Sequence, residues 1–201
     1  MNLQKLIDKQ RELLLYIVQE KGLKVEKIVA DTFLALQVEL AEFANEGRWF
    51  KYWSHNQKPN TREYLTNYTE QDSILGPGAV WKNPLLEEFI DGLHLFLQIA
   101  ILKGWEDSLW VYEEQLEPDE FDGDLTGYYL QMTYFLNESY MVNYGQDAKI
   151  AGIQKNEYSF HLSWITFLNI GINGFGFSFS EIEEAYFQKN QENHERQANG
   201  Y

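Results

Sequence analysis

The sequence of 201 residues predicts an all-α fold, and three features of its pattern support this. Apolar residues recur three and four positions apart in several segments, which is the spacing of one helix face. The alternation of apolar and polar residues that is typical of a strand is limited to residues 175–179. Capping residues and glycines stand at the segment ends. We therefore expect a helical bundle, with residues 1–201 forming a single domain.

The first two helices follow from apolar residues at helical spacing. The first begins near Leu3, and Gly22 is expected to stop it, because glycine favours the left-handed conformation found just past helix ends. The second is predicted from Val25 to Glu46, with Gly47 as its end. The apolar positions are Leu3, Leu6, Ile7, Leu13, Leu14, Ile17 and Val18 in the first helix, and Ile28, Val29, Phe33, Leu36, Leu40 and Phe43 in the second.

A long polar connection is expected between the second and third helices, over residues 54–83. It contains Pro59 and the breaker Gly76-Pro77-Gly78, with a short helix around residues 61–68. A second segment, about residues 104–124, is acidic over residues 114–124. Connections this long inside a compact domain are usually functional or mobile, so we interpret both as a mobile insertion or connector.

The third helix, from Leu85 to Lys103, is predicted to be central. Asn83 and Pro84 are the residue types expected at its N-cap and at its first position. The helix is apolar on most sides, as expected for a helix that other elements surround.

Three more helices are predicted in the second half of the chain. They cover residues 125–144, residues 158–170 and the C-terminal segment that begins at Ser180. Ser180 and Glu183 have the spacing of a capping box. The glycine-rich residues 171–176 lack the Lys-Ser/Thr of a phosphate-binding loop and follow no strand, so they are interpreted as a connector.

Charge and composition exclude several classes of protein. The 31 acidic and 16 basic residues give a net charge of −15, which argues against binding a nucleic-acid polymer. The chain has no cysteine, so disulfides and thiolate chemistry are excluded. The charged N-terminus lacks a signal-peptide pattern, and the longest apolar run, residues 93–102, is too short to cross a bilayer. We expect a cytoplasmic protein without a membrane partner.

Two pairs of acidic residues are the strongest candidates for a functional site. Glu39 and Glu42 lie three positions apart on the second helix, and Glu88 and Asp91 have the same spacing on the third. Four carboxylates in apolar surroundings repel one another and are poorly solvated, so a compensating cation is expected. Oxygen ligands favour Mg²⁺, with Mn²⁺ as a substitute. The alternative interpretation is that both pairs are solvated residues of surface helices.

Further candidate residues lie near these pairs in the sequence. Lys51, Tyr52 and Trp53 form a basic and aromatic cluster after the second helix. His94, one turn after Asp91, is interpreted as a hydrogen-bonding residue of a pocket wall or as a core histidine rather than as a metal ligand. On the last helix, cationic and amide side chains step along one face and suit phosphate oxygens and polar nucleotide edges. A polar, frayed terminal helix would explain the same pattern. The residues of this face are Lys189, Asn193, Arg196 and Gly200, with Asn190 and Gln197 beside them.

These residues resemble a known family, the dimeric all-α dUTP pyrophosphatases, which are relatives of the MazG-like nucleotide pyrophosphatases. The resemblance covers the whole chain. Its motifs are Glu39-Leu-Ala-Glu42 with Phe50-Lys51-Tyr52-Trp53, then Glu88-Phe-Ile-Asp91-Gly-Leu-His94, then Lys189-Asn190, Asn193, Arg196-Gln197 and Gly200-Tyr201, with Gln10 as a further match in the first helix.

The resemblance implies hydrolysis of dUTP to dUMP and pyrophosphate by water in an all-α NTP pyrophosphatase fold. It implies two or more Mg²⁺ ions per site. Glu42 is the favoured catalytic base, without being separated from Glu39. The implied metal ligands are Glu39, Glu42, Glu88 and Asp91; the implied phosphate contacts are Lys51, Lys189 and Arg196; the implied base or sugar contacts are Gln10, Tyr52, Trp53, His94, Asn190 and Asn193.

The resemblance also implies a homodimer, whereas the aromatic residues by themselves fit a dimer interface and a dense core equally well. The insertion over residues 54–83 exceeds the usual MazG-like spacing between the acidic pairs. Base preference stays open, since related all-α enzymes accept other deoxynucleotides, dCTP included. A different class of function also stays open, namely an acidic helical protein that binds or regulates a protein partner.

Overall fold

The computed structural model describes residues 2–64, 81–145, 148–150 and 152–200. Over these residues the protein is helical, which confirms the predicted fold class. Short 3-10 helices join α3 to α4, and a π-helical turn, Ile170–Gly174, follows α5. The helices are α1 (Leu3–Lys21), α2 (Val25–Gly47), α3 (Pro84–Lys103), α4 (Leu125–Met141), α5 (Lys155–Asn169) and α6 (Phe179–Ala198), and the 3-10 helices are Glu106–Leu109, Glu113–Leu116 and Pro118–Glu120.

Two small antiparallel hairpins were not predicted. Strand β1 (Glu63–Tyr64) pairs with β2 (Trp81–Lys82), and β3 (Lys149–Ile150) pairs with β4 (Ile153–Gln154). Each strand has two residues, too few for an alternating pattern to be recognised in the sequence. Residues 175–179, whose alternation suggested a strand, instead lead from the π-helical turn into α6.

The N-termini of α1 and α3 are capped by asparagine side chains. Asn2 accepts a hydrogen bond from the backbone of Lys5, and Asn83 accepts one from the backbone of Leu86. Gly22 follows α1 in the left-handed conformation. The predicted start of α3 and the predicted stop of α1 at Gly22 are confirmed.

Three predicted helix boundaries were wrong. Helix α4 ends at Met141 and does not reach Tyr144. Helix α5 begins at Lys155 rather than at Tyr158. Gly47 ends α2 as predicted, and Arg48 after it takes the left-handed conformation with φ 63°. Glycine is required at position 47 because a Cβ there would collide with the ring of Trp49.

The third wrong boundary is the start of α6. Its capping box consists of Ser178 and Glu181 rather than of Ser180 and Glu183. Both pairs have the required spacing, but the residues that flank the first pair are buried: Phe177 before the cap and Ile182 inside the helix. This hydrophobic staple fixes the chain direction and starts α6 at Phe179.

Helix α3 lies at the centre of the core, as predicted. Leu85, Phe89, Leu93 and Phe96 are fully buried on it, and the ring of Phe89 stacks on Phe167 of α5 with centroids 4.3 Å apart. Buried residues from each of the six helices belong to the same hydrophobic cluster. Among the described helices, none is both long enough and apolar enough to cross a membrane.

The connection between α2 and α3 is tied to both helices at Asn60. The backbone N–H of Asn60 donates to Glu46 O, and its side chain donates to the Glu46 carboxylate at 2.7 Å. The backbone N–H of Leu85 in turn donates to Asn60 O. The predicted Gly76-Pro77-Gly78 breaker and residues 65–68 of the predicted short helix lie outside the described residues. Over residues 61–64 the prediction of a helix was wrong, since Glu63–Tyr64 form strand β1. This single asparagine therefore joins the end of α2 to the start of α3.

Candidate active site

Three carboxylates converge where α2 packs against α3. Glu39 and Glu42 on α2 and Glu88 on α3 each place one oxygen within 4.8 Å of the others. The spacing of three residues turns both glutamates of α2 toward the same side, and the neighbouring helix supplies the third. Within the described part of the chain, no other group of three acidic or histidine residues is arranged to hold an ion.

Asp91, the fourth predicted ligand, has a different neighbour. Its Oδ2 accepts a hydrogen bond from Lys189 Nζ at 2.6 Å, and only 21% of its side chain is exposed. Lys189 comes from α6 and is itself largely buried, at 18% exposure. The structure therefore brings together a carboxylate paired to a lysine and three carboxylates that face one another.

Burial and mutual repulsion raise the pKa values of this cluster. Burial, and then the charges of Asp91 and Glu42, raise the pKa of Glu88 from 4.5 to about 7. Burial and the same two neighbours also raise the pKa of Glu39. The pKa of Asp91 is raised by burial even though Lys189 acts in the opposite direction. Such shifts show that the cluster lacks positive charge, and they are typical of functional sites.

The donor set fits a hard divalent cation. It consists of carboxylate oxygens, which Mg²⁺ and Mn²⁺ accept together with water and phosphate oxygens. A cavity of about 470 Å³ lies between the start of α3 and α6 and shares Lys189 with the cluster. Its wall also carries Lys82, Glu87 and Arg196. Three cationic and two acidic side chains thus line this cavity, and Lys189 connects it to Asp91.

A second polar region surrounds His94, one turn after Asp91 on α3. His94 Nδ1 lies 2.6 Å from Gln10 Oε1, and the imidazole stacks on the ring of Tyr186 with centroids 4.2 Å apart. The Tyr186 hydroxyl donates to the same Gln10 oxygen, and Gln10 Nε2 donates to Gln98 Oε1. Four side chains from three helices therefore form a hydrogen-bonded network, which Gln98 Nε2 extends to Thr32 on α2.

The network determines which nitrogen of His94 carries the proton. An amide oxygen only accepts hydrogen bonds, so Nδ1 must be the donor and Nε2 of the neutral ring is an acceptor. Burial, with a smaller contribution from Lys189, lowers the pKa of His94 to about 3, so the ring stays neutral. Its Nε2 has no hydrogen-bond partner within the described residues, and neither does Asn190 Nδ2 on α6. Both residues are 5% exposed, so these atoms are unpaired inside the protein.

The remaining predicted site residues are more dispersed. Arg196 is exposed and Asn193 is half-buried on α6. Lys51 Nζ donates to the backbone and the side chain of Asn45, one turn after Glu42 on α2. Tyr52 and Trp53 are 86% and 65% exposed, and their rings meet edge to face.

Three residues of the buried network were missed in the sequence. Tyr186 precedes Asn190 by four positions, Gln98 follows His94 by four, and Thr32 accepts a hydrogen bond from Gln98 Nε2 at 3.3 Å. The spacing of four residues was a usable signal for Tyr186 and Gln98, since each lies one turn from a predicted site residue. For Thr32 the sequence holds no such signal.

Comparison with known proteins identifies the family of the chain. The model of a protein family described as dUTPase matches residues 2–71 and 78–201 of the chain. A search of curated proteins found no match. The chain belongs to the dUTPase family, and the activity of this family is the hydrolysis of dUTP.

Proposed function

We propose that this dUTPase converts dUTP to dUMP and pyrophosphate with Mg²⁺ held by Glu39, Glu42, Glu88 and Asp91. The convergence of Glu39, Glu42 and Glu88 within 4.8 Å carries the proposal, because three uncompensated carboxylates favour a cation. Bound Mg²⁺ would lower the pKa of a coordinated water and neutralise charge on the phosphate oxygens.

The side chains around the cluster have separate roles in this proposal. Glu42 is exposed whereas Glu39 is half-buried, so Glu42 is the carboxylate that a water from solvent reaches first and accepts its proton. Lys189 and Arg196 line the adjoining cavity and contact the phosphates. Lys189 exchanges its bond to Asp91 for a phosphate oxygen, which leaves Asp91 available to the metal.

The hydrogen-bonding capacity of the buried network supports uracil as the base. His94 Nε2 accepts and Asn190 Nδ2 donates, and both atoms are unpaired. Uracil presents an N–H donor at N3 between two carbonyl acceptors, whereas cytosine presents an acceptor at N3. The acceptor His94 Nε2 therefore favours uracil, whose N3–H can donate to it. With cytosine, the lone pair of Nε2 would face the lone pair of N3, and no hydrogen bond could form. Gln10 holds the His94 tautomer in place rather than contacting the nucleotide.

The exposed rings of Tyr52 and Trp53 are available to stack on the base. Lys51 is proposed to join the phosphate contacts only after releasing Asn45. Asn193, one turn from Lys189 on α6, is proposed to contact the sugar.

We propose a homodimer that forms through α2 and α4. Leu34, Val38, Leu130 and Tyr134 are about half exposed or more on these adjacent helices, and Gln37 bonds to Asn137 between them. A neighbouring apolar depression of about 330 Å³ adds to this face. Helix α4 contains one charged residue, Glu138, and a low charge is typical of a contact between two copies. Sedimentation velocity on Leu34→Glu with Leu130→Glu should give a monomer, and an unchanged sedimentation coefficient would exclude this interface.

A panel of the deoxynucleoside triphosphates tests the reaction and the base together. Pyrophosphate should appear preferentially from dUTP, should vanish with EDTA and should return with Mg²⁺. Glu42→Gln and Asp91→Asn should abolish turnover, while Glu26→Gln, an exposed residue at the start of α2, should not. Turnover that survives chelation would exclude the metal mechanism.

The panel also separates the alternative substrates. Equal turnover of all nucleotides would exclude the role of His94 as uracil reader and leave a broader pyrophosphatase. Preference for dCTP would contradict the proposed tautomer of His94, because Nε2 would then have to carry the proton and donate it to cytosine N3. Absence of any turnover, with stability unaffected by Mg²⁺ and a non-hydrolysable dUTP analogue, would favour a non-catalytic interaction protein.

A further inference from the structure

An apolar cleft lies on the connector between α3 and α4, at the end of the molecule where α1 and α6 begin. Its volume is about 470 Å³. The floor is built by side chains of the core, including Leu109, Trp164 and Leu168. Phe179, at the first position of α6, lines one side of it. Lys189 lies ten residues further along the same helix, about 15 Å away, so the cleft is separate from the carboxylate cluster.

The backbone that forms the cleft is anchored at four points. Trp164 Nε1 donates to Leu109 O at 2.8 Å, and the His161 ring bonds to Ser108 O. Asn169 Nδ2 donates to Gln115 O, and Asn173 Nδ2 donates to Leu116 O. Because these side chains belong to α5 and the π-helical turn, the connector is held against a rigid support. A partner that enters the cleft would find it already formed, which lowers the cost of binding.

The rim of the cleft is aromatic and acidic. Trp110 and Tyr112 are 53% and 76% exposed, and Glu113 and Glu117 are exposed beside them. Within the described residues neither glutamate takes part in a salt bridge, and they form no metal-binding group. The surrounding sequence is strongly acidic, since residues 104–148 contain 11 acidic residues and no lysine or arginine.

The negative charge of the rim limits which molecules could enter the cleft. A nucleotide or another phosphate would be repelled by the rim. A second copy in a two-fold contact would place the same acidic rim against itself, which is unfavourable for the same reason. A positively charged partner with an apolar side chain matches both the rim and the floor.

We propose that this cleft is a docking site for a peptide segment of a partner protein, in which a large apolar residue is flanked by lysine or arginine. The apolar residue fills the cleft between Trp110, Tyr112 and Phe179, and the flanking cations pair with Glu113 and Glu117. Binding there leaves the catalytic residues uncovered, so the enzyme turns over dUTP while docked.

Fluorescence anisotropy with a labelled peptide, Gly-Lys-Arg-Trp-Leu-Arg-Lys-Gly, tests the proposal on the full-length protein. Micromolar binding is expected, weakening several-fold as NaCl rises from about 0.05 to 0.3 M. The double variant Glu113→Lys with Glu117→Lys should weaken binding at least about tenfold, and Tyr112→Ala should weaken it at constant charge. All three positions are exposed, so dUTP turnover should stay at the wild-type level.

The matched control is Glu20→Lys with Glu26→Lys, which makes the same change of net charge on exposed residues outside the cleft. Equal weakening by this control would mean general attraction to an acidic protein and would overturn the proposal. Equal binding of the peptide with glutamate at each basic position would overturn the charge argument. A wild-type dimer that the rim variants convert to a monomer would show that a second copy occupies the cleft instead.

Discussion

Asp91 and His94 lie one turn apart on α3, and the polar regions around them differ in charge and in pairing. Around Asp91, carboxylates face one another and raise each other's pKa, with Lys189 as the cation in contact. Around His94, neutral groups form hydrogen bonds with Gln10, Tyr186 and Gln98, and His94 Nε2 is unpaired within the described residues. The comparison teaches that adjacent turns of one helix can have opposite electrostatic surroundings, because each turn meets different side chains of the neighbouring helices.

The two regions also respond to pH in opposite directions. Glu88 has a folded pKa of about 7 against 4.5, so the folded state holds the extra proton in this range and stability falls as pH rises through it. His94 has a folded pKa of about 3 against 6.5, so the unfolded state holds the extra proton and stability rises with pH through that range. Between pH 4.5 and 6.5 the two contributions oppose each other.

The largest expected effect is a loss of activity without a loss of stability when a carboxylate of the cluster is removed. Glu39→Gln should lower dUTP turnover about 10³-fold, because it removes a metal ligand that contributes several kcal/mol to catalysis. In EDTA its melting temperature should equal or exceed that of wild type, since a repelling charge is gone. Steady-state kinetics and calorimetry check both results, with Glu20→Gln as the control. A lower melting temperature in EDTA would show that the cluster is not strained.

His94→Ala, in the network, should lower the stability of the fold while metal binding by the carboxylate cluster is retained. Loss of the buried ring, with Gln10 left unpaired, should destabilise the fold by about 3 kcal/mol. The melting temperature should then fall by about 6–12 °C. Calorimetry checks this against His55→Ala, since His55 is exposed. Mn²⁺ binding measured by electron paramagnetic resonance should persist, and its loss would mean that the two regions are not separable.

In the variant Glu88→Gln, the contribution of His94 to the pH dependence of stability should become visible, because the opposing contribution of Glu88 is gone. In EDTA, wild-type stability should change little between pH 4.5 and 6.5, whereas the variant should become more stable as pH rises. Because Glu88 is partly exposed, we expect a difference of only about 2–4 °C in melting temperature at pH 8. Thermal scans over a pH series check this, with Glu26→Gln expected to follow wild type. Parallel curves for wild type and Glu88→Gln would contradict the raised pKa.

Tyr186→Phe is the smallest change to the network. It removes the hydroxyl that donates to Leu6 O and Gln10 Oε1, while the ring still stacks on His94. A loss of about 1 kcal/mol is expected, measured by urea denaturation. Tyr52→Phe, at an exposed ring, should cost nothing. A larger loss at Tyr186 would indicate that His94 changes its tautomer when this hydroxyl is removed.

The features that could be predicted from sequence depend on residues close together in the chain. Asn2 and Asn83 cap helices through backbone groups three residues away, so their roles were recognisable. Ser178 and Ser180 could not be separated in the same way, because the burial of Phe177 decides between them. Gly47 was recognised as a helix-end glycine, yet its requirement comes from the ring of Trp49.

The sequence by itself determined the helices, the face on which each acidic pair lies and the membership in the dUTPase family, because helical periodicity and motif spacing are local properties. Only the tertiary structure decided that Glu88 joins Glu39 and Glu42, that Lys189 pairs with Asp91, and that Gln10 sets the tautomer of His94. Those pairs lie tens of residues apart in the chain, and their strength depends on burial, which exists only once the helices have packed.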